Sequence, residues 1–481
     1  MSITNSLANA ISGLSVNARK AEIVSSNIAN ALTDGYGRRD VQTGSTMVGG
    51  QGAGVRVTGI TRMVDKSALS DRRMAESDLN LQQRNASYLT RLEQIFGKPD
   101  DPAAVGGRLA ALENALLASA SDSASTQRLG AVLSRLTELT NTLNTTAVGI
   151  QQLRQEADAD IARDIEVLNT SLKEVERINA DIGRLRATGG DPSTLEDARQ
   201  VAIDRIATIV PVRELQRQNG QIALMTPNGE LLLDGPAREY GFNRTPTIVG
   251  DMSLATGSLS GITRDGVPLV PDGLGKLTGG SLEAAFRLRD VTLVEAQASN
   301  DLIALDLITR FADPATDPTL APGDAGLLTD NGAAYDPLDF IDLSRRLRVN
   351  AAVDPTRGGD LTRLRDGVNA TTPGPVGDPA QINRWSAALA TPITLGGGTA
   401  NVSAAGRIAE EATRIGTLRI DAERNQGFSS ARWESMRSAE LAGGVDTDQE
   451  LQSLLQIEQA YAANARLIQT VQAMLQSLME I

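Results

Sequence analysis

The sequence predicts a mainly α protein with β structure, built from discontinuous domains: a terminal coiled-coil helix pair, a long-helix bundle, and one or more small β-rich outer domains. Three observations predict it. Apolar residues recur at helical steps at both ends of the chain. The same period holds over most of the stretch from Asp65 to Ala187. Beyond Gly189 it gives way to short apolar runs closed by Asn-Gly.

At the N-terminus, Ile3, Leu7, Ala10, Leu14, Ala21, Val24 and Ile28 fall on alternating four- and three-residue steps, with Asn17 in the slot between Leu14 and Ala21. That is a coiled-coil seam. Its flanks of Asn, Ser and Ala offer few ion pairs, so the helix is weak in isolation. At the C-terminus no Gly or Pro follows Gly444, and Leu451, Leu454, Ile457, Tyr461, Ile468, Val471, Leu475 and Leu478 mark one face. This is an amphipathic helix of ~30 residues, roughly 45 Å long. Thr447 with Glu450 reads as its capping box. Each stripe needs a partner. Either each helix packs on a globular core, or the two ends pair and further copies supply the remaining surface.

The first helix runs into Thr33-Asp34-Gly35-Tyr36-Gly37-Arg38. There Gly35 and Gly37 can take the positive φ that reverses a chain, and Tyr36 can anchor the turn by packing. Gly52 to Arg62 then alternates as a strand does. Gly49-Gly50-Gln51-Gly52-Ala53-Gly54 lacks the Gly-Lys-Ser/Thr ending of a phosphate loop and precedes a strand, not a helix. Asp100-Asp101-Pro102 reads as a helix start. Leu129 to Leu143 and Ile161 to Leu185 mark two further helical faces. Asp158, Asp160 and Asp164, on a continuous helix with no loop to wrap a cation, read as a solvated face. Ser193 with Glu196 reads as a second capping box, and the Asn219-Gly220 and Asn228-Gly229 pairs predict a β-meander with type I′ hairpins. Gly279 to Asp290 opens a helix ending near Phe311, 313–400 is loop-rich, and helix resumes near Ser403 with a break at 442–444. The expected domains are 1–34 with 445–481, 35–205 with 276–312 and 401–444, 206–275, and 313–400.

Composition narrows the function. The 481 residues contain no Cys and no His. Disulfides, thiolate metal sites and His-dependent nucleophile activation are therefore excluded, and no cofactor or metal is expected. Carboxylate-only glycosidase chemistry survives that cut, but aromatics make up only 3% of the chain, which argues against sugar- or base-stacking platforms. A net charge of −13 repels a phosphate backbone, so nucleic acid is not an expected partner. No apolar run reaches the ~18 residues of a membrane span, and no cleavable secretory signal is legible at the N-terminus.

Several blocks together resemble a known family. Ser12-Gly13-Leu14, Ser26-Asn27-Ile28-Ala29-Asn30 and Thr33-Asp34-Gly35-Tyr36-Gly37-Arg38 are similar to the N-terminal signature of bacterial flagellar axial proteins (rod, hook and hook-associated). Asp34 replaces the usual Pro and Gly37 the usual Ser, and both keep a turn. The signature positions are Asn27, Asn30, Gly35 and Arg38. Gly444-Val445-Asp446, Leu454-Leu455 and Gln459-Ala460-Tyr461 resemble the family's closing helix. Gly52 to Asp65, Leu195 to Asp204, Gly279 to Asp290 and Leu347 to Asn350 match internal landmarks in order. The last three, with the long helical insert from ~80 to ~205, resemble the hook-associated protein 1 family more than rod or hook proteins.

The resemblance implies a non-enzymatic structural subunit at the hook–filament junction, exported uncleaved through the flagellum's own channel and located outside the cell. It implies as partners further copies in a ring at the hook tip, the hook protein, the next junction protein, the export apparatus, and an export chaperone on the C-terminal helix. The expected assembly residues are Ile3, Leu7, Leu14, Val24, Ile28, Tyr36, Leu451, Leu454, Tyr461, Ile468, Val471, Leu475 and Leu478. The terminal helices are expected to stay largely disordered until neighbours cover them. A hook or distal-rod subunit, a glycosidase on an axial scaffold, and an adhesin or exported effector are the competing readings. An outer domain is expected to be reduced, within 236–275 or 313–400.

Overall fold

The computed structural model describes residues 3–48, 51–270, 272–395 and 399–479. Helix α1 (Ile3–Ala29) leads through a turn into an antiparallel hairpin of β1 (Arg38–Val48) and β2 (Gln51–Met63). The strand expected from Gly52 is β2. Strand β1 shows no apolar alternation in sequence because its face is largely polar, and it is defined by pairing with β2. Then come α2 (Lys66–Phe96), capped by Asp65 accepting from the Ser67 and Ala68 N–H groups, α3 (Val105–Ala120), α4 (Thr126–Ala187) and α5 (Ser193–Ile209). Helix α3 begins later than Asp100-Asp101-Pro102 suggests, because the Asp101 carboxylate closes a preceding turn through the Ala103 N–H at 2.8 Å. The two faces read at 129–143 and 161–185 belong to one helix. Helix α4 has 62 residues and so extends ~93 Å.

Strands β3 (Arg213–Gln216), β4 (Ile222–Met225) and β5 (Leu231–Leu233) form the expected meander. Its first turn has Asn219 at φ 54° and Gly220 at φ 73°, as type I′ requires. The second is not type I′. There only Gly229 has positive φ, and the Thr226 N–H reaches Glu230 O across a longer loop. Strands β6 (Tyr240–Gly241), β7 (Thr263–Arg264) and β8 (Val267–Pro268) make a second small sheet. Helix α6 (Gly280–Arg287) passes through a π-helical stretch, Leu288–Thr292, into α7 (Leu293–Ala312). Strand β9 (Leu328–Asp330), α8 (Leu343–Arg346), β10 (Leu347–Val349, paired with β9), α9 (Arg363–Asp366) and α10 (Ala380–Ala390) follow. Helix α11 (Ala404–Ala442), capped by Ser403, and α12 (Thr447–Met479) close the chain.

Two hydrophobic cores lie along α4. The first packs Leu129 to Ala157 of α4 against α2, α3, α7, α10 and α11. Leu328, Leu343, Leu347, Trp385 and Leu389 belong to it. The 313–400 stretch is thus packed into the bundle core and is not a separate outer region. Outside α10, whose Ile382, Trp385 and Leu389 line one buried face, its apolar residues sit singly between Pro, Gly and Asp and show no period. The second core joins Ile161 to Val175 of α4 with α5, the meander and α6.

Asp158, Asp160 and Asp164 are buried, contrary to the solvated face expected of them. Asp158 accepts from Arg289 and from the Thr245 N–H, both at 2.7 Å; Asp160 accepts from the Tyr88 hydroxyl at 2.8 Å; Asp164 accepts from Arg84 at 2.6 Å and Ser281 at 2.8 Å. Apart from Arg163, which pairs with Asp160 one turn along α4, their partners lie far away in sequence, so helical periodicity does not show them. Among the described residues no His, Cys, Asp or Glu cluster could hold a metal ion.

Because α4 runs through both cores, they are expected to unfold together. Leu139→Ala and Leu168→Ala, each wholly buried in a different core, should each cost about 2–5 kcal/mol. In denaturant titrations both variants should show one shared transition at a lower midpoint; separate transitions would show the cores to be independent.

Candidate assembly site at the paired chain ends

Helices α1 and α12 pack against each other. Asn27 near the end of α1 meets Glu450 near the start of α12, and Gly13 faces Asn464, so the pair is antiparallel. Small residues let the helices approach, since a Cβ on Gly13 would lie 2.7 Å from Asn464 Nδ2. The hairpin covers another side of α1, where the Val55 N–H donates to Ser12 Oγ at 3.2 Å.

The structure covers the expected seam unevenly. Val24 and Val471 are buried, while Leu7, Leu14, Ile28, Leu454 and Ile468 are half-buried. Leu451, Tyr461 and Leu475 remain 49%, 47% and 37% exposed, so α1 does not cover these three within one chain. The side chains of Ile3 and Leu478 lie outside the described residues. Val16 and Ile23, off the expected seam, are buried on the Ser12 side of α1. The 3.5-residue pattern therefore captures one of two faces that α1 uses.

The densest polar contacts lie where the turn after α1 meets α12 and α5. Asn27 is 1% exposed and fully engaged. Its Oδ1 accepts from the Tyr36 hydroxyl at 2.9 Å and the Arg39 N–H at 3.0 Å, while its Nδ2 donates to Arg39 O at 2.9 Å and Glu450 Oε2 at 3.2 Å. Glu450, equally buried, accepts from Arg38 Nε at 2.6 Å. Asn30 ties back to Ser26 O at 2.9 Å and closes the helix end. Tyr36 lies under the Arg39 guanidinium at 4.9 Å, so it anchors the turn through its hydroxyl and its ring face together.

Asp197 of α5 then holds the turn to the body. It accepts from the Gly37 N–H at 3.0 Å, Arg62 at 2.7 Å and Arg39 at 2.6 Å. Arg62 also reaches Gly35 O and Gln200, and Gln200 reaches Glu440 of α11. Glu440 in turn pairs with Arg72 at 2.8 Å. Burial alone would lower the Arg72 pKa, but Asp204, Glu440 and Glu76 together hold it above its ordinary value.

Three local expectations are corrected here. Gly35 does take a positive φ, 78°, with Val201 against it, but Gly37 does not; Gly37 is small because the Arg62 side chain lies on it. Neither capping box forms. Asp446 caps α12, accepting from the Asp448 and Gln449 N–H groups at 3.0 and 3.1 Å, and Asp191 accepts from the Ser193 N–H and hydroxyl. The two capping glutamates are instead drawn to arginines, Glu450 to Arg38 and Glu196 to Arg186. Glu450 and Asp197 are therefore site residues that the sequence analysis passed over. A signal existed for each, since Glu450 is an acidic residue on the first turn of the closing helix and Asp197 lies within the Leu195 to Asp204 landmark.

The ends of the chain match models of flagellar axial components. Residues 7–36 match the flagella basal body rod protein family, and 442–481 match the C-terminal region of the flagellar basal body rod FlgEFG proteins. The fold and its paired ends thus define a flagellar axial protein. Residues 89–326, the helices and meander in between, match the helical domain of the flagellar hook-associated protein FlgK. Over 477 aligned residues the chain is 20% identical to flagellar hook-associated protein 1 of Bacillus subtilis, covering 92% of this chain and 91% of that protein. It is 23% identical to the protein of the same name from Escherichia coli, covering 98% and 99%. A FlgK hook junction protein structure from Burkholderia pseudomallei aligns at TM-score 0.46 and 18% identity, over 55% of this chain and 47% of that one. Together these matches support the flagellar hook-associated protein 1 family for this chain, a family of structural flagellar proteins.

Removing the Asp197 carboxylate leaves two guanidinium groups and the Gly37 N–H without their common partner. Asp197→Ala should cost about 1–3 kcal/mol. Amide hydrogen exchange should accelerate across 35–40 with little change in the α4 core. Unchanged exchange there would mean that packing, not the carboxylate, holds the turn.

Proposed function

We propose that this flagellar junction protein assembles through its paired ends, with the faces left uncovered on α12 docking against neighbouring copies. The observation that carries this is the uneven cover of the pair. Within one chain α12 packs mainly on α1, and Leu451, Leu455, Tyr461, Leu467, Met474 and Leu475 stay exposed. An apolar face of this kind is a protein-contact surface. The hydrophobic support for the pair inside one chain is thin, so its ordering strengthens as neighbours cover it, which couples folding to the assembly site.

The expected residues then divide into two sets. Val24, Leu454, Ile468 and Val471, with Leu7, Leu14 and Ile28, hold the pair itself. Leu451, Tyr461 and Leu475 meet neighbours. Asn27, Asn30, Gly35, Tyr36 and Arg38 shape the turn that joins the pair to the bundle. The partners are further copies in a ring at the hook tip, the hook protein on one side and the next junction protein on the other. The subunit travels outward through the flagellar export apparatus, with an export chaperone on the exposed face of α12 beforehand. No helix among the described residues is long and apolar enough to cross a membrane. The role is structural, without catalysis. The match of residues 89–326 to the FlgK helical domain favours the junction over a hook or rod position.

Deleting the gene should leave hooks without filaments, with flagellin released to the medium, as seen by electron microscopy and immunoblotting. Absent hooks would place the protein lower in the axis, and intact filaments would overturn the junction role. Leu451→Asp with Tyr461→Asp, both exposed in the single chain, should reproduce the deletion phenotype while the purified protein keeps its helix content.

A further inference from the structure

We infer that Glu450 sets the register of the antiparallel α1–α12 pair, acting as a positioning residue that selects one alignment from several that the apolar seam would accept. A seam with a 3.5-residue step is degenerate. Sliding one helix by a heptad puts apolar positions opposite apolar positions again. Here the seam is also shallow. Ala10, Gly13, Asn17 and Ala21 present little relief on α1, and most of its larger residues are half-buried. Packing alone therefore discriminates poorly between alignments.

Two contacts fix the alignment observed, Asn27 with Glu450 and Gly13 with Asn464. From 13 to 27 and from 450 to 464 are equal intervals of two heptads, so both contacts report one constant register. Only the first is costly to lose. In the observed register the Glu450 carboxylate is buried but answered by Arg38 Nε and Asn27 Nδ2. A slip of one heptad in one direction carries it past the end of α1 at Ala29, away from both partners. A slip in the other direction carries it towards Lys20, and strips Asn27 and Arg38 of their acceptor. Lys20 could answer the charge there but not the buried Asn27, nor Arg38, and a buried polar set that is complete in one alignment and incomplete in the others is the established way to specify a helix pair. Arg38 and the Asn27 shell belong to the N-terminal turn, which Asp197 holds to the body, so the pin also aligns α12 relative to the bundle. The register is a property of the single chain; only its consequence, the placing of the exposed α12 residues for neighbours, rests on the assembly reading.

The chain has no native Cys, so paired spin labels can be placed cleanly. Ser15→Cys on α1 and Ala462→Cys on α12 are exposed positions, and the distance between labels there reads the register in the purified full chain by pulsed electron paramagnetic resonance. The unaltered background and Glu450→Gln, which keeps an acceptor for Arg38, should each give a single distance. Glu450→Leu should keep the helices paired but add a second population, shifted in axial alignment by ~10 Å for a one-heptad slip. A single unshifted distance in Glu450→Leu would overturn the inference, because packing would then suffice. A broad distribution in that variant would overturn it too, because Glu450 would hold the helices together and not select their alignment. Filament assembly by the same variants is read separately. A shifted register with normal filaments would leave the pin intact and count against the assembly reading alone.

Discussion

Much of this structure depends on a small polar shell being completely satisfied. Asn27 uses both of its polar atoms, and each Glu450 carboxylate oxygen has a partner, at a point where the two ends of the chain meet out of water. An unanswered carboxylate in that position would cost several kcal/mol. The turn, the first residues of β1 and the start of α12 must therefore form together or not at all. Residues more than four hundred positions apart are joined by one requirement, that a buried charge find its partners.

From that shell, charged groups lead inward. Asp197 gathers Arg39, Arg62 and the Gly37 N–H; Gln200 links Arg62 to Glu440; Arg72 joins Glu440 to Asp204; and Asp204 also pairs with Arg73, which reaches Glu214 on β3. The path touches α2, α5, α11 and the meander, so the terminal pair is braced against elements of both cores. Most of these side chains are largely buried, and their pairing matters more than that of surface ion pairs. A weak helix pair is thus mounted on a stiff base.

Periodicity and the Asn-Gly turns made the long helices, the meander, the return of helix near Ser403 and the break at 442–444 legible in the sequence. It also separated the paired ends from the middle. Where local patterns were read as local interactions, the reading failed. Thr447 to Glu450 and Ser193 to Glu196 have the spacing of capping boxes, but an arginine close in space competes better for each glutamate than the helix's own N–H, and an aspartate upstream takes over the cap. Asp158, Asp160 and Asp164 looked solvated because all their partners but Arg163 come from elsewhere in the chain. Leu328 showed no period because a three-residue strand delivers it to the core, and the period of Ile382, Trp385 and Leu389 spans only the short helix α10 inside a loop-rich stretch. The polar shell was half visible. Asn27, Tyr36 and Arg38 stood out through the family signature, but nothing local to Glu450 or Asp197 says which cation each will meet.

The contrast between braced base and thinly held helices bears on assembly. A terminal pair with a deep apolar seam would be complete alone and would have no reason to wait for neighbours. A pair with no internal order would present no defined surface to dock against. Here the apolar contribution is spread over half-buried residues, while alignment is delegated to Asn27, Arg38 and Glu450. Satisfying those groups costs little once the turn is formed, and it contributes geometry more than cohesion. Stability can then come from the next subunit, which covers Leu451, Tyr461 and their neighbours, without the subunit losing the register in which those residues are presented. A shallow seam with a polar pin separates where the helix sits from how firmly it is held, and only the second has to change on assembly.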